Sequence, residues 1–166
     1  MKRYILSFDP SGNYNGGKGT SGWCLYDTHT GKVVKFGVIK ALKYTCIEEY
    51  WKAHLTLMDD LSGYGYALVI EDYMLYANRA TEQINSRFET PRLIGVIQYE
   101  CFIRGIPIVF QTASAVKLRW SNDILLHKNI IQERNGSLWL AETKMSDHCL
   151  DAIRHAIHYA TFGNKE

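Results

Sequence analysis

The chain opens on an apolar run that ends in an acid. Tyr4 to Asp9 predicts a strand, and Pro10-Ser11-Gly12 breaks it. Gly12 to Gly19 is a glycine-rich turn. Thr20 to Asp27 resumes as a strand, Thr28-His29-Thr30-Gly31 turns back, and Lys32 to Ile39 returns with Val33, Val34, Phe36, Val38 and Ile39. From Cys46 to Leu61 the period changes. Ile47, Tyr50, Trp51, Leu55, Met58 and Leu61 recur at helical spacing, and Gly63 and Gly65 end the segment. Ala67 to Ile70 is a short unbroken apolar run, the pattern of a buried strand, and Glu71 follows it directly.

Residues 73 to 90 mix aromatic, basic and amide side chains without a clear period. Thr90 is placed to cap a helix whose first residue is Pro91 and which closes at Gly105. This helix, Pro91 to Arg104, is apolar on most sides, which suits either a core helix or a subunit interface. Pro107 to Gln111 reads as a strand, and Ala113 to Trp120 as a brief helix carrying Lys117 and Arg119. Ser121 starts another helix through Leu125, Leu126, Ile130 and Ile131. Residues 134 to 145 read as a loop in which Leu138-Trp139-Leu140 is the one extended stretch. Ser146 caps a last helix to about Phe162, with Leu150, Ile153, Ile157 and Ala160 as its stripe. The order β-β-β-α-β-α-β-α-α predicts an α/β fold. Its sheet is mixed and five-stranded, three antiparallel strands followed by parallel additions, with helices on both faces.

Composition narrows the function classes. The 166 residues suit one domain spanning 1–166. No apolar run is long enough for a membrane span or a signal-peptide core, so the expected location is the cytoplasm. Cys24, Cys46, Cys101 and Cys149 form no CxxC pair and lie in apolar stretches, which points to reduced buried thiols and against zinc. With 19 Lys and Arg against 17 Asp and Glu, the net charge is +2. Any nucleic-acid contact therefore depends on where the charges sit rather than on their sum.

The candidate chemistry lies in acids at element ends. Asp9 ends the first strand and Glu71 the fourth. Asp151 sits on the last helix, with His148 three and Asp147 four residues before it, so all three share a helical face. Each has a plainer role when taken alone. Asp9 suits an Asx-turn, Glu71 a surface position, Asp147 a helix-start charge, and His148 and His155 ordinary helix surface. Their combination and order carry the signal. Crowded carboxylates repel, a divalent cation relieves them, and hard oxygen donors select Mg²⁺ or Mn²⁺. Two such ions roughly 4 Å apart support phosphodiester hydrolysis. The Gly12 to Gly19 turn lacks the Gly-Lys-Ser/Thr ending of a phosphate loop, which excludes a kinase-like reading.

These residues resemble a known family. Tyr-Ile-Leu-Ser-Phe-Asp9-Pro-Ser-Gly with Thr-Ser-Gly-Trp-Cys-Leu-Tyr, then Leu-Val-Ile-Glu71, then Asp147-His148-Cys-Leu-Asp151-Ala-Ile-Arg-His-Ala, resemble the motifs of RuvC-type Holliday junction resolvases of the ribonuclease H superfamily. The phage-borne RuvC-like branch is the most similar, and the resemblance spans essentially the whole chain. It implies a ribonuclease H-like fold and a Mg²⁺-dependent endonuclease, with Mn²⁺ as substitute, that cuts four-way junctions as a homodimer in recombination or phage DNA processing. The four catalytic positions fall on Asp9, Glu71, His148 and Asp151, with Asp147 an alternative ligand to His148. Ala115-Val116-Lys117 resembles the stretch that carries a functional lysine. Tyr73 or Tyr76 would stack on unpaired bases, and Arg79, Arg87, Lys117, Arg119 and Lys128, with Lys18 and Arg134, would meet phosphates. Helix Pro91 to Arg104 is the candidate dimer surface. Two other readings are a less selective nuclease acting on forks, flaps or RNA–DNA hybrids, and a catalytically idle DNA-binding module.

Overall fold

The computed structural model describes residues 1–74 and 87–163. Tyr76 and Arg79 lie outside the described residues. Five strands, β1 (Tyr4–Asp9), β2 (Thr20–Asp27), β3 (Lys32–Lys40), β4 (Ala67–Glu71) and β5 (Ile108–Gln111), form one sheet in the order β3-β2-β1-β4-β5. The pairs β1–β2 and β2–β3 are antiparallel, while β1–β4 and β4–β5 are parallel. This is the mixed sheet expected from the pattern. The central strands β1 and β4 are buried on both faces, which is why they read as mostly apolar runs, broken in β1 only by Ser7 before the acid. The edge strand β3 is less buried and carries Lys32, Lys35 and Lys40.

Strand alternation divides the interior in two. Leu6, Phe8, Leu25, Leu68 and Ile70 face α1 (Ile47–Asp60) and α2 (Glu89–Arg104), meeting Tyr50, Met58, Leu93, Ile97 and Cys101. Ile5, Cys24, Tyr26 and Val69 face the other way, toward α3 (Ala113–Arg119), α4 (Asn122–His127) and α5 (Asp147–Phe162). There they pack with Val116, Leu125, Ile153, Ala156 and Ile157. Helices therefore cover both faces. Among the described residues, no helix is long and apolar enough to cross a membrane.

Several local expectations differ from the structure. The helix that starts after Ser121 ends at His127 rather than running through Ile130 and Ile131. Thr90 does not cap α2. The helix starts at Glu89 after Arg87 and Phe88, both in the left-handed region, and Thr90 Oγ1 instead accepts from the Gly12 amide at 2.9 Å. Pro91 remains within the first turn, where its missing N–H leaves no helical bond unmade. Within residues 134 to 145, Leu138-Trp139-Leu140 is extended as expected, but its surroundings are more ordered than a loop. Strands β6 (Gln132–Arg134), β7 (Ser137–Leu140) and β8 (Thr143–Lys144) form a small antiparallel meander. Its first turn is Asn135-Gly136 with both φ angles positive, the two-residue hairpin that this dipeptide favours. Ser121 and Ser146 cap α4 and α5 as expected, accepting from the amides of Ile124 and Cys149.

Candidate active site

Parallel pairing of β1 with β4 and of β4 with β5 brings three polar strand ends side by side. Phe8 pairs with Ile70 and Glu71 with Gln111, so Asp9, Glu71 and Gln111 stand in a row. Alternation turns all three toward the face that α5 covers, because Ile5, Val69 and Val109 lie on that face two or four residues earlier. Helix α5 crosses there. Its N-terminal part presses on β2 at Gly22, the register partner of Asp9, where a Cβ would collide with the carbonyl of His148. Glycine is thus required for the helix to sit over the acid.

His148, Asp151 and His155 follow one another along one face of α5, and each meets a partner from elsewhere. His148 Nδ1 donates to Asp9 Oδ2 at 2.7 Å. His155 Nε2 donates to Glu71 Oε2 at 3.0 Å, and its Nδ1 lies 2.9 Å from Gln111 Oε1. Asp151 is held from two sides, by Lys117 Nζ on Oδ2 at 2.8 Å and by the Arg154 guanidinium on Oδ1. Arg154 is itself anchored to the carbonyl of Trp120 at 2.8 Å and to the Asn122 side chain.

The electrostatics follow from this crowding. Burial pushes the Asp9 carboxyl above its ordinary value. The hydrogen bond from His148 opposes the shift, and the negative charges of Glu71 and Asp151 add to it. His148 is raised, chiefly by its bond to Asp9. Burial alone would lower Lys117, but the bond to Asp151 and the pull of Glu71 and Asp9 outweigh it and hold the ammonium charged. Asp9 and Asp151 are buried, whereas the side chains of His148 and Lys117 are 42% and 50% exposed, so the cluster opens at one rim.

Three mutually repelling carboxylates beside an imidazole are a donor set that suits a hard divalent cation. As packed, no three His, Cys, Asp or Glu side chains among the described residues stand in ready ligating geometry. Their acceptors are turned to Lys117, Arg154 and the two imidazoles. The donor chemistry of these oxygens fits a hard divalent cation.

The other candidate residues lie apart from this cluster. Asp147 is exposed in the first turn of α5 and lines a separate groove with Asp123, Glu133 and Lys144. Tyr73 is partly buried against the α1–α2 side of the core. Arg119 stacks over Phe162 at 4.9 Å and Lys128 over Trp120 at 5.9 Å. Arg134 pairs with Glu142 at 3.0 Å, while Arg87 and Lys18 are exposed. Sequence reasoning did not select His155, Gln111 or Arg154. The signal was present for His155, which lies four residues after Asp151 on the same helical face, and for Gln111, which ends β5 as Glu71 ends β4.

The acids at adjacent strand ends under a crossing helix define a ribonuclease H-like α/β fold. The same fold is seen in solved RuvC structures. The structure of Thermus thermophilus RuvC in complex with a Holliday junction substrate superimposes with a TM-score of 0.71 at 16% identity, over 97% of this chain and 94% of that one. A second Thermus thermophilus RuvC structure gives a TM-score of 0.61 at 16% identity, over 97% and 95%. No protein-family model matches the chain, and no curated protein matches it in sequence.

Proposed function

We propose that this protein is a Mg²⁺-dependent endonuclease that cuts four-way junctions and related branched DNA by symmetric phosphodiester hydrolysis as a homodimer. The observation that carries the reading is the convergence of Asp9, Glu71 and Asp151, with Lys117 bonded to Asp151 at an open rim. The RuvC fold supports it, since a protein of that fold is known in complex with a Holliday junction substrate. Recombination or phage DNA processing in the cytoplasm, the host's for a phage protein, is the setting this activity implies.

Asp9, Glu71, His148 and Asp151 are the residues that would hold the cation. Held there, such a cation would supply activation of the attacking water and an offset for charge on the leaving oxygen. His148 orients Asp9 by donating to Oδ2, and Arg154 keeps Asp151 at the rim through its anchors on Trp120 and Asn122. Lys117, half exposed on a flexible stem, is the group that leaves Asp151 to meet the negative scissile phosphate. The dimer reading rests on α2. Leu93, Ile94, Ile97 and Cys101 are buried in the core, while Tyr99, Phe102 and Ile103 are 64%, 78% and 59% exposed on the outward side. A two-fold pairing of that face gives two equal sites for paired cuts.

The test is cleavage of a four-way junction, a fork, a linear duplex and an RNA–DNA hybrid with Mg²⁺ and with Mn²⁺, beside Asp9→Asn and Asp151→Asn. Paired symmetric cuts in the junction, lost in both variants, are expected. Equal cutting of fork and hybrid would reduce the reading to a less selective nuclease. No cutting of any substrate by the wild type would leave a DNA-binding module.

A further inference from the structure

One turn beyond Asp151, α5 buries an imidazole to which the reading above assigns no task. His155 has no exposed surface. It bridges the ends of two neighbouring strands, with Nε2 on Glu71 Oε2 at 3.0 Å and Nδ1 against Gln111 Oε1 at 2.9 Å. Glu71 and Gln111 are register partners on β4 and β5, so the ring closes a three-residue arrangement across the sheet edge. Packing alone does not call for histidine here. The adjoining helix positions Ala152, Ile153, Ala156 and Ile157 are buried and apolar, and an aliphatic residue at 155 would bring no polar atoms to satisfy. The carboxylate only accepts, so Nε2 carries the proton in that bond. The Gln111 amide has an acceptor and a donor end and can answer Nδ1 in either state.

We propose that His155, oriented by Gln111, is a positioning residue for Glu71. It fixes the carboxylate by taking up Oε2 and leaves the other oxygen for the divalent cation. The proposal rests on the metal-dependent reading of the site. Outer hydrogen-bond partners of a ligand carboxylate set metal affinity by fixing its orientation, and their loss costs about 10- to 100-fold.

The deciding experiment is Mn²⁺ binding to the full chain without DNA, followed by the paramagnetic resonance of free Mn²⁺. It compares wild type, Asp9→Asn, His155→Phe and Gln111→Leu, with thermal melts and with kcat and KM for Mn²⁺-supported junction cleavage. His155→Phe is expected to weaken Mn²⁺ binding by about tenfold or more. Gln111→Leu should weaken it by a smaller factor above twofold. In both, kcat should fall while KM for the junction holds, because no DNA contact is removed. A residue that served only the fold would lower the melting temperature and leave the Mn²⁺ affinity of the folded protein unchanged. Affinity within twofold of wild type in folded His155→Phe overturns the proposal. If His155→Phe does not fold, the same result in Gln111→Leu overturns it. Failure of the underlying reading looks different: wild type then binds no Mn²⁺, or Asp9→Asn binds it equally well.

Discussion

Gly22 on β2 lies directly beneath the carbonyl of His148, so close that a Cβ there would collide with the helix backbone. The contact ties the seating of α5 to the strand residue paired with Asp9. Gly22→Ala should push the helix off the sheet. We expect a loss of roughly 3 kcal/mol in urea unfolding, together with loss of junction cleavage. An unchanged unfolding midpoint would show that the helix seats elsewhere.

Asp9→Asn should separate stability from activity. Burial raises the Asp9 carboxyl, so its ionised form at neutral pH costs the folded state more than the unfolded one. That cost sets in as pH rises from the unfolded value of about 3.9 through the raised folded value. Asn carries no charge and still accepts from His148. Without divalent cation the variant should melt higher than wild type, by roughly 2 to 4 °C for about 1 kcal/mol. Added Mg²⁺ should stabilise wild type and leave the variant unmoved, as calorimetry would show.

Lys117 and Arg154 grip the same carboxylate but should fail differently. Lys117 is half exposed, so Lys117→Ala should change stability by less than about 1 kcal/mol. If, as proposed, Lys117 meets the scissile phosphate, its loss should slow cleavage by about 100-fold or more. Arg154 is nearly buried and bonded to Trp120 and Asn122. Arg154→Ala should cost on the order of 2 kcal/mol of folding stability as well. Parallel unfolding and single-turnover assays compare the two.

The outward face of α2 predicts association. Phe102, 78% exposed beside Tyr99 and Ile103, should be covered in a dimer. Phe102→Glu should yield a monomer in sedimentation and convert paired cuts into single nicks. A wild-type chain that sediments as a monomer at micromolar concentration would rule out this surface.

Acid should loosen the protein through His54. Burial lowers this imidazole to about 4. Its Nδ1 donates to the Tyr50 carbonyl at 2.8 Å and its Nε2 accepts from Ser21 Oγ at 2.9 Å. Ser21 also accepts from the Ser11 amide, and the Tyr50 hydroxyl donates to the Ser11 carbonyl, so this network anchors the turn after Asp9. The folded state excludes a proton that the unfolded state binds below about pH 6.5. Stability from this group is therefore full above that pH and falls toward pH 4 by roughly 1.4 kcal/mol per unit. His54→Gln should flatten that slope in urea unfolding measured between pH 7 and 4.5.

Most of the elements and their kinds are legible in the chain alone. The largely apolar run at 4–9 and the unbroken one at 67–70 mark strands covered on both faces, and the helical period of 47–61 and 146–162 marks helices with one side to a core. It also supplied acids at the strand ends and the spacing of His148 and Asp151, because those properties are local. It missed the meander at 132–144, although Asn135-Gly136 is a local hairpin signal, since the strands beside it are too short to show a period. Pairing across long stretches of chain is legible only in the folded molecule. Hydrophobic periodicity says which face of an element is buried but not against what. Parallel register placed Glu71 beside Gln111, and the seating of α5 on Gly22 brought His148 to Asp9 and His155 to Glu71. A polar side chain two turns along a helix looks like surface until the fold shows the strand end beneath it.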